Sequence, residues 1–312
     1  MYPSFVNMQL TNQNDSLAFC RFVLAMAVIF LIGFQSCADQ PSVQPPIITA
    51  DTTGISSTGA ILLQGNVVVI PPPALIAHMI RSKSIPFESS CTIDATHPEQ
   101  WTGEQKKALN LGVLGADLSY LINHGQSAVI PQYLASIRRL TDDLGISHQV
   151  NPELLNQIEA GLDNPEYMLG LHSVFFRNLE QYLESNKRSS ISTCILLGGW
   201  IESMHQLAAP ADSIAAHPLD DVLAEQSYTA QGIRALALSV SDNSFSEIQS
   251  SIIALCDALD ELEKYYAFRE PVHDQRQSIS YLRSESSVIC TDEQLVELHQ
   301  LINQARQLII EP

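Results

Sequence analysis

From residue 71 onward, apolar residues recur at the three- and four-residue spacings of amphipathic helices. Within 102–125, for example, Leu111, Leu114, Leu118 and Leu121 fall on one helical face. The pattern predicts an all-α fold, a bundle of about seven or eight antiparallel helices joined by short turns. A short helix is predicted at 71–83, and longer helices at 102–125, 127–145, 151–162, 164–186, 190–208, 217–240, 242–268 and 291–309.

Two segments depart from this helical pattern. Apolar runs on either side of Gln64-Gly65-Asn66 predict a short β-hairpin. Residues 269–290 carry mixed charge and no helical spacing, which predicts an irregular loop. This loop is either a lid or contact surface or a solvated linker.

The first 70 residues have the organisation of an export signal and a tether. Residues 22–34 are thirteen residues without a charge, too short for a spanning helix, which needs about 20 apolar residues. Residues 38–59 are rich in Pro, Ser, Thr and Gly, a composition typical of a flexible tether. The predicted organisation is a signal peptide at 1–36, a tether with a hairpin at 37–70, and a helical domain at 71–312.

A small residue directly precedes a cysteine where the apolar run ends, at Ser36-Cys37. This junction resembles the lipobox of bacterial lipoproteins. The resemblance implies that the signal peptide is removed, that Cys37 carries acyl chains such as palmitate, and that these chains anchor the protein in a membrane. Ala38 after the cysteine favours the outer membrane, by the same resemblance. The alternative is a plain secreted protein with an unmodified cysteine.

Charge and cysteine content narrow the classes of partner. The chain has 16 basic and 34 acidic residues, a formal charge of −18, which excludes nucleic acid because a phosphate backbone would be repelled. In an oxidising compartment Cys91 and Cys290 are the predicted disulfide. Cys194 and Cys256 lie in helical patterns and are predicted to be buried.

Glycines inside two predicted helices point to a close helix crossing. Gly112 and Gly115 lie in one helix, and Gly198 and Gly199 in another. A glycine within a helix costs about 0.5–1 kcal/mol relative to alanine, so a close backbone approach is the expected compensation. We therefore predict that these two helices cross at their glycines.

The polar and aromatic residues beside these glycines are the candidate site residues. They are Asp117, Tyr120, Trp200, Glu202 and His205. Asp117 lies among apolar residues, so a buried carboxylate paired with an arginine or a helix N-terminus is expected. Glu202 and His205 form a single ExxH motif, whereas di-iron bundles need two, so neither a metal nor another cofactor is predicted.

The segments "LGVLGADLSY" and "GGWIES" resemble uncharacterised all-helical lipoproteins of Gram-negative envelopes. The resemblance covers roughly residues 70 to 310, and it implies an envelope location and an all-α fold without any activity.

The leading functional hypothesis is a lipid-anchored envelope protein that binds another envelope protein. One alternative is a bundle that holds a small apolar ligand against Trp200, Tyr120 and Tyr167. The other is a metal- or carboxylate-dependent hydrolase that uses Asp117, Glu202 and His205.

Overall fold

The computed structural model describes residues 7–8, 60–63, 66–147, 185–209, 219–274 and 279–312, together with some positions between 156 and 183. The protein is mostly helical and its helices pack together as an all-α bundle, as the hydrophobic periodicity predicts. The α-helices are α1 (Pro73–Ser82), α2 (Glu104–Asn123), α3 (Ile130–Asp143), α4 (Ser189–Ala208), α5 (Asp220–Glu225), α6 (Ala230–Ser239), α7 (Ser246–Asp260) and α8 (Asp292–Ile310). The strands are β1 (Asn7–Met8), β2 (Ala60–Leu63), β3 (Asn66–Val69), β4 (Glu263–Asp274) and β5 (Ile279–Ile289).

The chain divides into two units. One unit comprises residues 55–265 and 286–312 and contains helices α1 to α8. The other comprises residues 1–54 and 266–285. Strand β1 and most of β4 and β5 lie in this unit. These strands form a sheet in the order β1-β5-β4, in which Asn7 and Met8 pair antiparallel with Tyr281 and Ser280 of β5.

The predicted hairpin before the helices is confirmed. Strands β2 and β3 pair antiparallel, with Ala60 opposite Val69 and Leu63 opposite Asn66. The two residues between the strands lie outside the described residues. Strand β3 contains three valines and β2 contains one isoleucine, residue types that favour a pleated conformation.

Helices α2 and α4 form the centre of the bundle. Every residue of α2 from Ala108 to Ile122 is buried, and α4 is buried over almost its whole length. A helix that is buried on all sides has other helices around it, so the leucine stripe of α2 is only one of its contact faces.

The predicted crossing of these two helices at their glycines is confirmed. A Cβ atom placed on Gly112 would lie 2.0 Å from the carbonyl oxygen of Ile195. A Cβ atom on Gly198 would lie 2.0 Å from the carbonyl oxygen of Leu109. Carbon and oxygen atoms cannot approach that closely, so only glycine allows the two backbones to touch here.

Helix α8 is held against α2 at its C-terminal end. Three side chains from the Trp101 to Asn110 region donate hydrogen bonds to carbonyls of its last turn, which have no partners within the helix. These bonds run from Trp101 Nε1 to Ile310 (2.9 Å), from Lys106 Nζ to Leu308 (2.6 Å) and from Asn110 Nδ2 to Ile309 (2.8 Å). At its other end, Thr291 and Gln294 form a capping box.

Two of the predicted helices are shorter than expected. The helix predicted at 217–240 is divided into α5 and α6 by a 3₁₀ turn at Gln226–Tyr228. Ser227, Tyr228 and Thr229 have low helix propensity, which accounts for the division. The helix predicted at 242–268 ends at Asp260, because the chain becomes a strand from Glu263.

The prediction of an irregular loop at 269–290 is wrong. Most of this segment lies in β4 and β5, which are neighbours in the sheet. Aromatic and β-branched residues favour strands, and both segments contain them, for example Tyr265, Tyr266 and Phe268 in β4.

Candidate functional site

The helix crossing brings the predicted site residues into one buried region. Asp117 and Tyr120 lie on α2, and Trp200, Glu202 and His205 lie on α4. All five are buried, and Asp117, Tyr120 and Glu202 have no exposed surface. The segment from Ile85 to His97, between α1 and α2, packs over several of them.

Glu202 forms a buried ion pair with Arg306 of α8. Arg306 donates from Nε to Oε2 at 2.7 Å and from Nη2 to Oε1 at 2.8 Å, so both carboxylate oxygens are used. The Arg306 side chain is only 12% exposed. Two parallel bonds of this kind are among the strongest that a carboxylate makes in a protein.

Asp117 lies next to this ion pair and is bonded at both of its oxygens. Oδ2 accepts from the backbone N–H of Ile93 at 3.0 Å, and Oδ1 accepts from Nε2 of Gln206 at 3.0 Å. Burial raises the pKa of the Asp117 carboxyl well above its ordinary value, and the negative charge of Glu202 raises it further. A proton on Asp117 leaves one negative charge, on Glu202, matched by one positive charge, on Arg306.

His205 is the second titratable group that α4 contributes to this region, after Glu202. Its Nδ1 lies 3.1 Å from Oδ1 of Asn303, and its Nε2 lies 3.3 Å from the carbonyl oxygen of Ser90. Burial lowers the pKa of His205, which favours the neutral imidazole. A neutral imidazole has a single N–H, so it donates to one of these two oxygens, either that of Asn303 on α8 or that of Ser90 in the 85–97 segment.

The polar side chains of the bundle satisfy the backbone of the 85–97 segment. An irregular segment that is partly buried needs hydrogen-bond partners for its N–H and C=O groups. Tyr120 and Asp117 of α2 accept from the backbone N–H groups of Glu88, at 3.2 Å, and of Ile93. Tyr133 and Ser136 of α3 donate to the carbonyl oxygens of Ile93 and Ala95. The rings of His124, which directly follows α2, and of His205 on α4 face the carbonyl oxygens of Ile85 and Ser90 at 3.2 and 3.3 Å. The cluster thus fixes this segment to the bundle.

Trp200 does not join this hydrogen-bond network. Its side chain is 2% exposed, and its Nε1 is buried without a hydrogen-bond partner. It packs in the hydrophobic core together with the aliphatic side chains of the bundle.

The geometry of the buried cluster offers little for catalysis. Both carboxylates are fully buried and each of their oxygens already has a protein donor. Burial also raises the pKa of the Cys91 thiol to about 11, so it is not a nucleophile near neutral pH. Within the described residues no group of three or more His, Cys, Asp or Glu side chains is placed to hold a metal ion.

Sequence reasoning missed the residues that complete the cluster, Arg306 above all. Arg306 lies in α8 with Ile302, Ala305 and Ile309 around it, and these three residues are buried. A lone arginine on an apolar helix face is a signal for a buried ion pair. The sequence predicted Asp117 as the buried carboxylate that would need such a partner. The structure places Glu202 as its direct partner.

The disulfide predicted between Cys91 and Cys290 is absent from the structure. Cys91, Cys194, Cys256 and Cys290 are all free. Cys91 is enclosed in the core beside Tyr120, whereas the thiol of Cys290 faces the carbonyl of its neighbour Thr291 at 3.7 Å. Cys194 and Cys256 are fully buried, as predicted.

Comparison of the chain with protein-family models, with curated proteins and with solved structures gives no match. Among the helices of the described part of the chain, none is long and apolar enough to cross a membrane. Cys37 and the predicted tether lie outside the described residues.

Proposed function

We propose that this protein is a lipid-anchored envelope protein that binds another envelope protein. The lipobox resemblance at Ser36-Cys37 and the tether composition that follows support the anchor. The charge of −18 supports a protein partner over a nucleic acid. The buried cluster then has a structural role, because it joins α2, α4 and α8 to the 85–97 segment.

The observation that carries the binding role is an exposed group of aromatic residues on β4. Tyr265, Tyr266 and Phe268 are 46%, 60% and 77% exposed. The rings of Tyr266 and Phe268 meet edge to face, with centroids 4.9 Å apart. Single exposed apolar residues are common on proteins, but two highly exposed aromatic rings in contact, as at Tyr266 and Phe268, are typical of an interaction surface.

The two alternative functions have less support. Tyr120 and Trp200, two of the residues expected to line a ligand cavity, are packed in the core, and Tyr167 lies outside the described residues. The hydrolase requires a substrate to reach Asp117 and Glu202, and both side chains have no exposed surface.

A photo-crosslinking amino acid at position 268 of the full chain tests the binding role in intact cells. We expect a discrete covalent adduct after irradiation. The matched control is the same amino acid at position 238, because Leu238 is 58% exposed but lies on α6. Adducts at neither position, or equally at both, would contradict a binding surface on β4.

A further inference from the structure

Strand β4 is the outer strand of its sheet. In the order β1-β5-β4 it has β5 on one side, and no described strand lies on the other. The N–H and C=O groups along that outer edge can pair with a further strand. Pro271 suits this position, because proline in sheets is confined to edges and strand ends.

The sequence of β4 is complementary to itself when it is read in the opposite direction. Residues 264–270 are K-Y-Y-A-F-R-E. In an antiparallel pair of two such strands centred on Ala267, Lys264 falls opposite Glu270 and Tyr266 falls opposite Phe268. Tyr265 falls opposite Arg269, and Ala267 falls opposite its own copy.

We propose that the occupant of the outer edge of β4 is the β4 strand of a second copy, in an antiparallel pair with its two-fold axis at Ala267. The proposal rests on the proposed function in one respect, that β4 is the binding surface, and it names the partner. Such a contact uses the same patch on both chains, as two-fold symmetric dimers do.

The exposed aromatic rings agree with this register. Successive residues of a strand face opposite sides of the sheet, so Lys264, Tyr266, Phe268 and Glu270 share one side. Two copies place two adjacent Tyr266–Phe268 pairs on that side, with a Lys264–Glu270 pair at each end. Aromatic and opposite-charge pairs across strands are both favourable.

The neighbouring register on one side is unfavourable by charge. A shift of one residue places Lys264 opposite Arg269 and Glu263 opposite Glu270. Each of these like-charge pairs occurs twice in the symmetric dimer, and together they replace the two Lys264–Glu270 pairs. The same shift separates Tyr266 from Phe268. The charge pattern therefore disfavours this neighbouring register relative to the one centred on Ala267.

The local charge along this edge does not share the strong acidity of the protein. The protein as a whole is strongly acidic, yet residues 264–270 carry two basic side chains and one acidic side chain. Lys264 Nζ lies 3.4 Å from Oδ1 of Asp260 in its own chain, and the Lys264 side chain is 28% exposed. It remains exposed enough to face the Glu270 of the second copy as well.

Disulfide trapping at single positions of β4 tests the proposal in membranes from cells that express the full chain. We expect Ala267→Cys to form a disulfide-linked dimer on mild oxidation, since two copies of position 267 face each other within disulfide range. Lys264→Cys is the matched control on the same strand. Its two copies would be six residues apart along the pair, about 20 Å, which is beyond the reach of a disulfide.

The expected result is a dimer yield for Ala267→Cys several times that for Lys264→Cys and for the unmodified chain. A charge exchange adds a second readout in the Ala267→Cys background. Lys264→Glu should lower the yield, and Lys264→Glu with Glu270→Lys should restore it. Equal yields at positions 264 and 267, or no rescue by the double exchange, would overturn the proposed pairing.

The photo-crosslinking result separates this proposal from the proposed function. An adduct at position 268 with twice the mass of the chain supports the self-pairing. An adduct with a different protein, together with no disulfide at position 267, overturns the self-pairing and leaves the binding role intact. No adduct at position 268 contradicts the binding role itself.

Discussion

Loss of Arg306 should destabilise the protein strongly, because its partner would stay buried with an unpaired charge. Glu202 has no exposed surface, and Arg306 occupies both of its oxygens. Removing one partner of a buried pair costs about 3–5 kcal/mol. With a urea dependence of about 3 kcal/mol per molar, Arg306→Met should lower the unfolding midpoint by about 1–2 M.

A second substitution should restore most of this loss. Replacing Glu202 by Gln in the Arg306→Met background removes the unpaired charge, and buried pairs replaced by uncharged residues are often close to neutral. We expect the double variant to lie within about 2 kcal/mol of the unmodified protein. Double variants that recover stability in this way identify the charge, rather than lost packing, as the cause.

Tryptophan emission during urea unfolding is a suitable assay, since Trp101 and Trp200 are 1% and 2% exposed in the folded chain. Arg234→Met is the matched control, because Arg234 pairs with Asp257 and Asp260 near the surface. Exposed pairs contribute about 0–1 kcal/mol. A cost for Arg306→Met no larger than that of the control, or a double variant no better than the single one, would refute the reasoning.

Three further predictions concern the helix crossing, Asp117 and the cysteines. Gly112→Ala should lower the free energy of unfolding by about 1–3 kcal/mol, because the added methyl group overpacks the helix crossing. Gly170→Ala is the control and should cause no such loss, because a Cβ atom at Gly170 would meet no atom within 4 Å. Urea midpoints of the two variants test this difference. The raised pKa of Asp117 means that its carboxyl group binds a proton more tightly in the folded state than in the unfolded state. The free energy of unfolding should therefore fall as the pH rises from about 4 through the pKa of the folded state. Asp117→Asn should remove that loss. An advantage of the variant that shrinks with rising pH would contradict this sign. Because the four described cysteines are free, a reducing agent should leave the urea midpoint unchanged, and a clear drop would reveal a disulfide.

The helix crossing could be predicted from sequence because its cause is local. Gly112, Gly198 and Gly199 stand out as glycines within strong helical patterns, and close packing is the usual reason for them. Once two helices cross at their glycines, polar residues within a turn or two of the crossing approach each other. That is why the sequence alone groups Asp117 with Glu202.

The partners of those carboxylates could not be predicted in the same way. Arg306 follows Glu202 by 104 residues, and Ile93 precedes Asp117 by 24, so both contacts depend on how distant elements pack. The strands β4 and β5 were missed for a different reason. Their aromatic residues favour strands, but the helical spacing of the preceding segment continues into Glu261 and Leu262, which hides the boundary.

The most direct test of the proposed function is the intact mass of the full-length gene product after gentle release from its own membrane. The lipid-anchored proposal predicts a chain that begins at Cys37 and carries the added mass of acyl chains. The same spectrum under native conditions reports whether a second copy or another protein stays bound. A mass that retains residues 1–36 without acyl chains would contradict the anchor.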